Sequence, residues 1–376
     1  MDRFEELERT IQSQGPAAAF DFLIHQAREE GNFREVFSAR VMQARHRSGL
    51  PLIETEGGPE MTPDQGTALE AALRSAARET GDLFLSAGDI PAAWPYFRAI
   101  GEPSPVASAI EHAAADDRLD AVIEIAFREQ VHPRKGFELI LEHRGICNAI
   151  TWFGALPEGE ARRECLKLLV RALYDELAAS LRNHIAKVEG TAAATDSVAG
   201  LMAGRAWLVD GANYHVDTTH LASILRFSPE LEDEASMRLA LEMADYGTQL
   251  DPMYHYKNDA PFEDPYRDYG IYLRTLLGGD VEAGVDHFRQ KARDGAEAGY
   301  SFPADVFVDL LVRLDRFDDA IAASLEFFRE DRPSNGPSPL QLCQLAGNFG
   351  RLREVARERG DLLSYVAGVI QEKAAP

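Results

Sequence analysis

The stretch Asp120-Ala121-Val122-Ile123-Glu124-Ile125-Ala126-Phe127 sets Val122, Ile123, Ala126 and Phe127 on one side of a 3.6-residue turn. Two apolar residues, a gap of two and a second apolar pair make a helical stripe. A half-buried strand would alternate residue by residue instead. Working outward, Glu164-Cys165-Leu166-Lys167-Leu168-Leu169-Val170-Arg171-Ala172-Leu173 reads the same way, and long β-branched alternations are missing. Nearly the whole chain reads as helices joined by short Gly, Pro and Asp turns, so the expected fold class is all-α.

Upstream, residues 74–107 carry Gly81 and Phe84, then Gly88-Asp89, then Ala93 and Phe97, then Pro105. This order and spacing resembles a tetratricopeptide repeat, although Ala77 stands where that family has its first aromatic residue. The resemblance implies a helical hairpin with small residues Gly81 and Ala93 where the helices cross, Phe84 and Phe97 filling the gap, a turn at Gly88-Asp89, and Pro105 closing the unit. Trp94 and Pro95 are atypical there, and Pro95 is expected in the first turn of its helix, where proline is tolerated. Weaker copies of the turn lie at Gly31-Asn32, Asp116-Asp117, Gly279-Asp280, Asp315-Arg316 and Gly347-Asn348. The last three start 36 and 32 residues apart, near the ~34-residue period of this class. Met237 to Pro252 also looks like the second helix of a repeat, with Ala240 and Ala244 spaced for packing. The resemblance is clearest at residues 74–107 and 268–350 and implies an α-solenoid of stacked antiparallel helix pairs with a concave face.

The middle departs from that pattern. Pro157 to Glu189 reads as one helix of about thirty residues, twice or more the usual length. A polar linker, Thr191–Ser197, follows, with Asp196 or Ser197 as N-cap of the next helix. The expected organisation is helical repeats over 1–135, an atypical long-helix segment over 136–210 and further repeats over 211–376, running as one continuous superhelix. Gly57, Gly58, Pro59 and Pro63 separate the first helix pair from the next, and Pro333–Pro339 reads as an exposed loop between the last two helix pairs.

A net charge of −23 with 27% charged and 45% hydrophobic residues describes an ordered, acidic protein. That field opposes nucleic acid and anionic membranes as partners. Met1–Arg9 is acidic and amphipathic rather than basic then apolar, no run spans a bilayer, and Cys147, Cys165 and Cys343 are well separated. A cytoplasmic protein with reduced thiols is expected, with Cys147 buried and inert. P-loop, nucleophile-elbow and His-Glu-x-x-His motifs are missing. Glu129 to His132, followed by Pro133, reads as the end of a helix.

The segment Asp210–Leu221 stands out, bridging a helix ending near Asp210 and another beginning near Asp217. His215, Asp217 and His220, joined by His255, are nitrogen and oxygen donors of the kind that hold a divalent metal such as zinc, iron or manganese. Asn213, Tyr214, Tyr254, Tyr256 and Tyr266 are the polar and aromatic residues of a candidate ligand groove, provided stacked hairpins join 213–220 to 251–269. The plainer alternative makes Asp217 an N-cap and the histidines hydrogen-bonded packing residues. Two functions follow. The first is an interaction scaffold that binds a partner peptide or helix in a groove, needs no cofactor and is not an enzyme. The second is a metal-dependent enzyme or small-ligand binder at the His/Asp cluster, with Asp251, Glu263 or Asp268 as proton acceptor.

Overall fold

Oxygen-bearing side chains and prolines stand where helices begin. Thr62 and Gln65 form a reciprocal cap at the start of Pro63–Ser86, and Ser338 and Gln341 do the same for Pro339–Leu345. Asp89, Ser197, Asp217, Asp233 and Asp264 each accept a backbone N–H in the first turn of their helices. These caps satisfy donors that would otherwise be left open. A computed structural model describes residues 2–53, 61–328 and 336–374. It is helical throughout, with no strand among the described residues. No helix there is long and apolar enough to cross a membrane. Gly57, Gly58, Pro59 and Pro333–Asn335 lie outside the described residues.

The chain divides into two compact units, Met1–Arg144 and Gly145–Pro376. The first contains α1 (Arg3–Gln14), α2 (Pro16–Glu29), α3 (Phe33–Arg47), α4 (Pro63–Ser86), α5 (Ile90–Ile100), α6 (Ser104–Ile110) and α7 (Leu119–Ile123). A π-helical turn, Glu124–Arg128, extends α7. The helical run α8 (Pro133–Gly154) is broken internally at Gly145 (φ 78°, ψ 171°), where the units meet in sequence. The second unit continues with α9 (Glu160–Glu189), α10 (Val198–Met202), α11 (Thr218–Phe227), α12 (Glu234–Gly247) and α13 (Pro265–Leu276). Then come α14 (Val281–Ala298), α15 (Phe302–Arg313), α16 (Phe317–Phe327), α17 (Pro339–Leu345), α18 (Phe349–Glu358) and α19 (Leu362–Ala374).

Within each unit most helices pack on the next: α1 to α5 in sequence in the first, and α12 to α19 in sequence in the second. The long α9, 30 residues, packs a buried Leu-rich stripe on α10, α11 and α12. Turns between paired helices use left-handed backbone, Gly88 at φ 72° and the non-glycine Asp315 at φ 57°.

Close helix pairing depends on missing side chains. A Cβ on Gly81 of α4 would lie 2.5 Å from the Phe97 ring of α5, and Phe97 and Ala93 are fully buried. Phe84 meets Phe33 edge-on at 5.2 Å and stacks on Tyr96 at 5.8 Å. In the second unit Gly247 of α12 faces the Tyr266 ring of α13, and Gly284 of α14 faces Thr275. Ala240 and Ala244 are likewise fully buried on α12.

Three local expectations are corrected. Cys147 is exposed, because Ala149 and Phe153 define the inward face of its helix and Cys147 projects about 160° away from Ala149. Pro95 lies inside α5 beyond its first turn, since that helix begins at Ile90. No long helix ends near Asp210. The short α10 is followed instead by two single 3-10 turns, Ala206–Leu208 and Asp210–Ala212.

Gly81→Ala and Gly247→Ala should each destabilise the chain by roughly 1–3 kcal/mol in urea unfolding, because the new methyl has an aromatic ring in its place. Gly66→Ala, in α4 with nothing within 4 Å, should be neutral or stabilising by up to about 1 kcal/mol.

Candidate functional site

Between α12 and α13 runs a long connection held by tyrosine hydroxyls. Asp251 opens it by accepting from Met253 N at 3.0 Å. The Tyr266 ring, seated over Gly247 and fully buried, sends its hydroxyl to the Tyr254 carbonyl at 3.2 Å. The Tyr254 hydroxyl in turn donates to the Ala212 carbonyl at 3.0 Å, and its ring meets Tyr214 edge-on at 5.3 Å. Tyr256 and Thr218 share a hydroxyl hydrogen bond at 2.7 Å. The segments around 212–218 and 254–266 are therefore joined. Burial pushes the Tyr246 phenol up to about 12 and raises that of Tyr266 as well, so both stay protonated, Tyr266 donating to the Tyr254 carbonyl and Tyr246 accepting from the His215 backbone N–H. Asn213 and Tyr214 are exposed at the edge of this cluster.

The candidate metal donors have separate local roles. Asp217 accepts from Thr219 N at 2.8 Å and His220 N at 3.3 Å, capping α11. Its carboxyl is held low, chiefly by the Thr219 hydroxyl. His255 Nε2 lies 3.1 Å from the Leu250 carbonyl, so that nitrogen carries the proton. His220 is half-buried on α11. Among the described residues, no group of three or more His, Cys, Asp or Glu side chains is placed to hold a metal ion.

His215 has a partner that sequence reasoning missed. Its Nε2 lies 2.9 Å from Nδ1 of His184 on α9, with the rings stacked at 5.1 Å, and Trp207 meets His184 edge-on at 5.2 Å. The His215 backbone N–H donates to the Tyr246 hydroxyl at 2.9 Å. His215 Nδ1 is buried with no hydrogen-bond partner. An unpaired lone pair is cheaper there than an unpaired N–H, so the ring carries its proton on Nε2 and donates to His184. Burial, with His184 beside it, pulls the His215 pKa down to about 4.

The tyrosine-held connection also builds one wall of a cavity of about 750 Å³. Phe262, Tyr269 and Tyr272 form its aromatic side, with Phe262 stacked on Tyr269 at 4.0 Å and 17°. Asp305, Val306 and Asp309 of α15 line the facing side. Asp309 accepts from the Tyr272 hydroxyl at 3.0 Å, and Phe302 stands exposed at the rim. Arg226 of α11 and Lys257 of the connection supply positive charge. Glu230, also on the wall, is held by Arg162 through two bonds of 2.6 and 2.8 Å. A hollow of this size, with an aromatic side and charged groups of both signs around it, suits a small ligand or an inserted side chain. Tyr269 and Tyr272, three apart on one helix face, were the available sequence signal.

Compared with protein-family models, curated proteins and solved structures, the chain matches none.

His215 binds its proton more weakly folded than unfolded, so the associated stability is complete above about pH 6.5 and is lost as pH falls toward 4. Between pH 7 and 5 this amounts to roughly 1–2 kcal/mol. Urea unfolding of His215→Phe should show a correspondingly smaller loss across that interval than the parent chain. Equal losses would mean that His215 does not carry the effect.

Proposed function

We propose that this chain is a cytoplasmic protein-interaction module. In this reading the paired helices of the second unit form a tetratricopeptide-like α-solenoid that holds a segment of a partner protein. The observation that carries it is the cavity beside the tyrosine-held connection, whose aromatic side and half-buried Val306 offer a seat for an apolar side chain. Asp305 and Asp309 on the facing helix, in a chain of net charge −23, favour basic residues next to that anchor. Three free cysteines suit a reducing compartment. Paired helices require no catalytic machinery to present such a surface.

The test is capture of partners from native lysate by the parent chain and by Val306→Arg, which fills the cavity mouth with a charged side chain. Proteins held through the cavity should be depleted about tenfold or more on the variant, with melting temperature little changed. An identical set of proteins on both baits, or none on either across a range of salt, would remove this reading.

A further inference from the structure

A second, smaller hollow adjoins the cavity and shares Arg226, Lys257 and Asn258 with it. Thr219, Ser223 and Arg226 recur at i, i+4 and i+7, so one face of α11 presents all three side chains toward Tyr256, Lys257 and Asn258. Among its described lining residues there is no carboxylate. The larger cavity, by contrast, is also lined by Glu230, Asp259, Asp305 and Asp309.

The state of its donors sets this hollow apart. Most arginines in this acidic chain are paired with carboxylates, as Arg162 is with Glu230 and Arg274 with Asp245. Among the described residues Arg226 and Lys257 have no ion-pair or side-chain hydrogen-bond partner. Arg226 leans over the Phe227 ring at 5.2 Å and lies near enough to Tyr269 to act on its phenol. The Ser223 hydroxyl and the Asn258 side-chain amide have no partner there either. Two cations, a hydroxyl and an amide thus converge unpaired beside an aromatic wall.

We propose that these residues form a binding site for a phosphate monoester carried on an aromatic group, the phosphate resting between Arg226 and Lys257 and the ring entering the cavity beside Phe262 and Tyr269. Charge chooses phosphate over carboxylate. A monoester carries about two negative charges near pH 7, which two cations neutralise, and its three terminal oxygens accept from the guanidinium, the ammonium and the neutral donors together. A carboxylate, with one charge and two oxygens, leaves part of this set unused. The proposal rests on reading the cavity as a binding site, and it specifies the chemistry of the occupant. A phosphate of this kind occurs as a phosphorylated tyrosine side chain; a nucleotide carries its phosphate on the sugar, with the aromatic base several bonds away, and serves as the comparison ligand.

Calorimetric titration of the full chain with phenyl phosphate tests the site directly. Saturable binding is expected, about tenfold or more tighter than for inorganic phosphate or phenol alone, and weakening as salt is raised. Arg226→Gln with Lys257→Gln, both at exposed positions, should weaken phenyl phosphate about tenfold or more while the melting temperature holds. Parallel titrations with O-phosphotyrosine and adenosine 5′-monophosphate identify the source by which binds tighter. Absence of saturation with phenyl phosphate in the millimolar range, or equal binding by parent and double variant, would overturn the proposal. If cavity-dependent protein capture persists in either case, only the phosphate site falls. If phenyl phosphate binds and no protein is captured, only the scaffold reading falls.

Discussion

A bare backbone against an aromatic ring is the contact on which the helix pairing depends. Gly81 admits Phe97, and Gly247 admits Tyr266. Interiors pack near crystal density, so a ring pressed on a helix backbone leaves no room for even one methyl group. The gain is large apolar burial together with a short helix-to-helix distance. Gly284 against Thr275 and Gly295 against Pro303 are related close approaches in the second unit. Where a ring also carries a hydroxyl, as Tyr266 does, the same contact aims a hydrogen-bond donor at a chosen point beyond the helix pair.

That aim ties an irregular connection to the helices beside it. Tyr266 is pinned by Gly247 and reaches the Tyr254 carbonyl, Tyr254 reaches Ala212, and Tyr256 reaches Thr218. An irregular connection would otherwise lack partners for its backbone. Here it is tied at several points, and Lys257, Asn258 and Phe262 are presented to the adjoining cavity. The tyrosines that stand out in the sequence therefore act mainly as struts. The groups that line the adjoining hollows are their neighbours in the chain, together with Arg226 on α11.

Much of the helical content was legible, because it rests on short-range rules. The stripe at Val122, Ile123, Ala126 and Phe127 is buried, although Glu124–Arg128 winds as a π-helical turn. The helix read from Pro157 begins at Glu160 and ends at Glu189 as expected. Ser197, one of two cap candidates, accepts from Gly200 N. The meeting of 212–218 with 254–266 was anticipated only as a condition, because nothing local states which loops a stack brings together. Cys147 shows the reverse difficulty. An apolar neighbourhood in sequence does not say which side of the helix faces inward, and Ala149 and Phe153 settle that.

The amino-acid sequence by itself determined the helices, their caps and many of their turns, since those follow from propensity, apolar period and side-chain oxygens acting within a few residues. Only the tertiary structure decided that His184 lies against His215, 31 positions away, and that Arg226 shares a hollow with Lys257. Those encounters are set by the angles at which helices cross, and such angles are the summed outcome of many small steric contacts that no local pattern records.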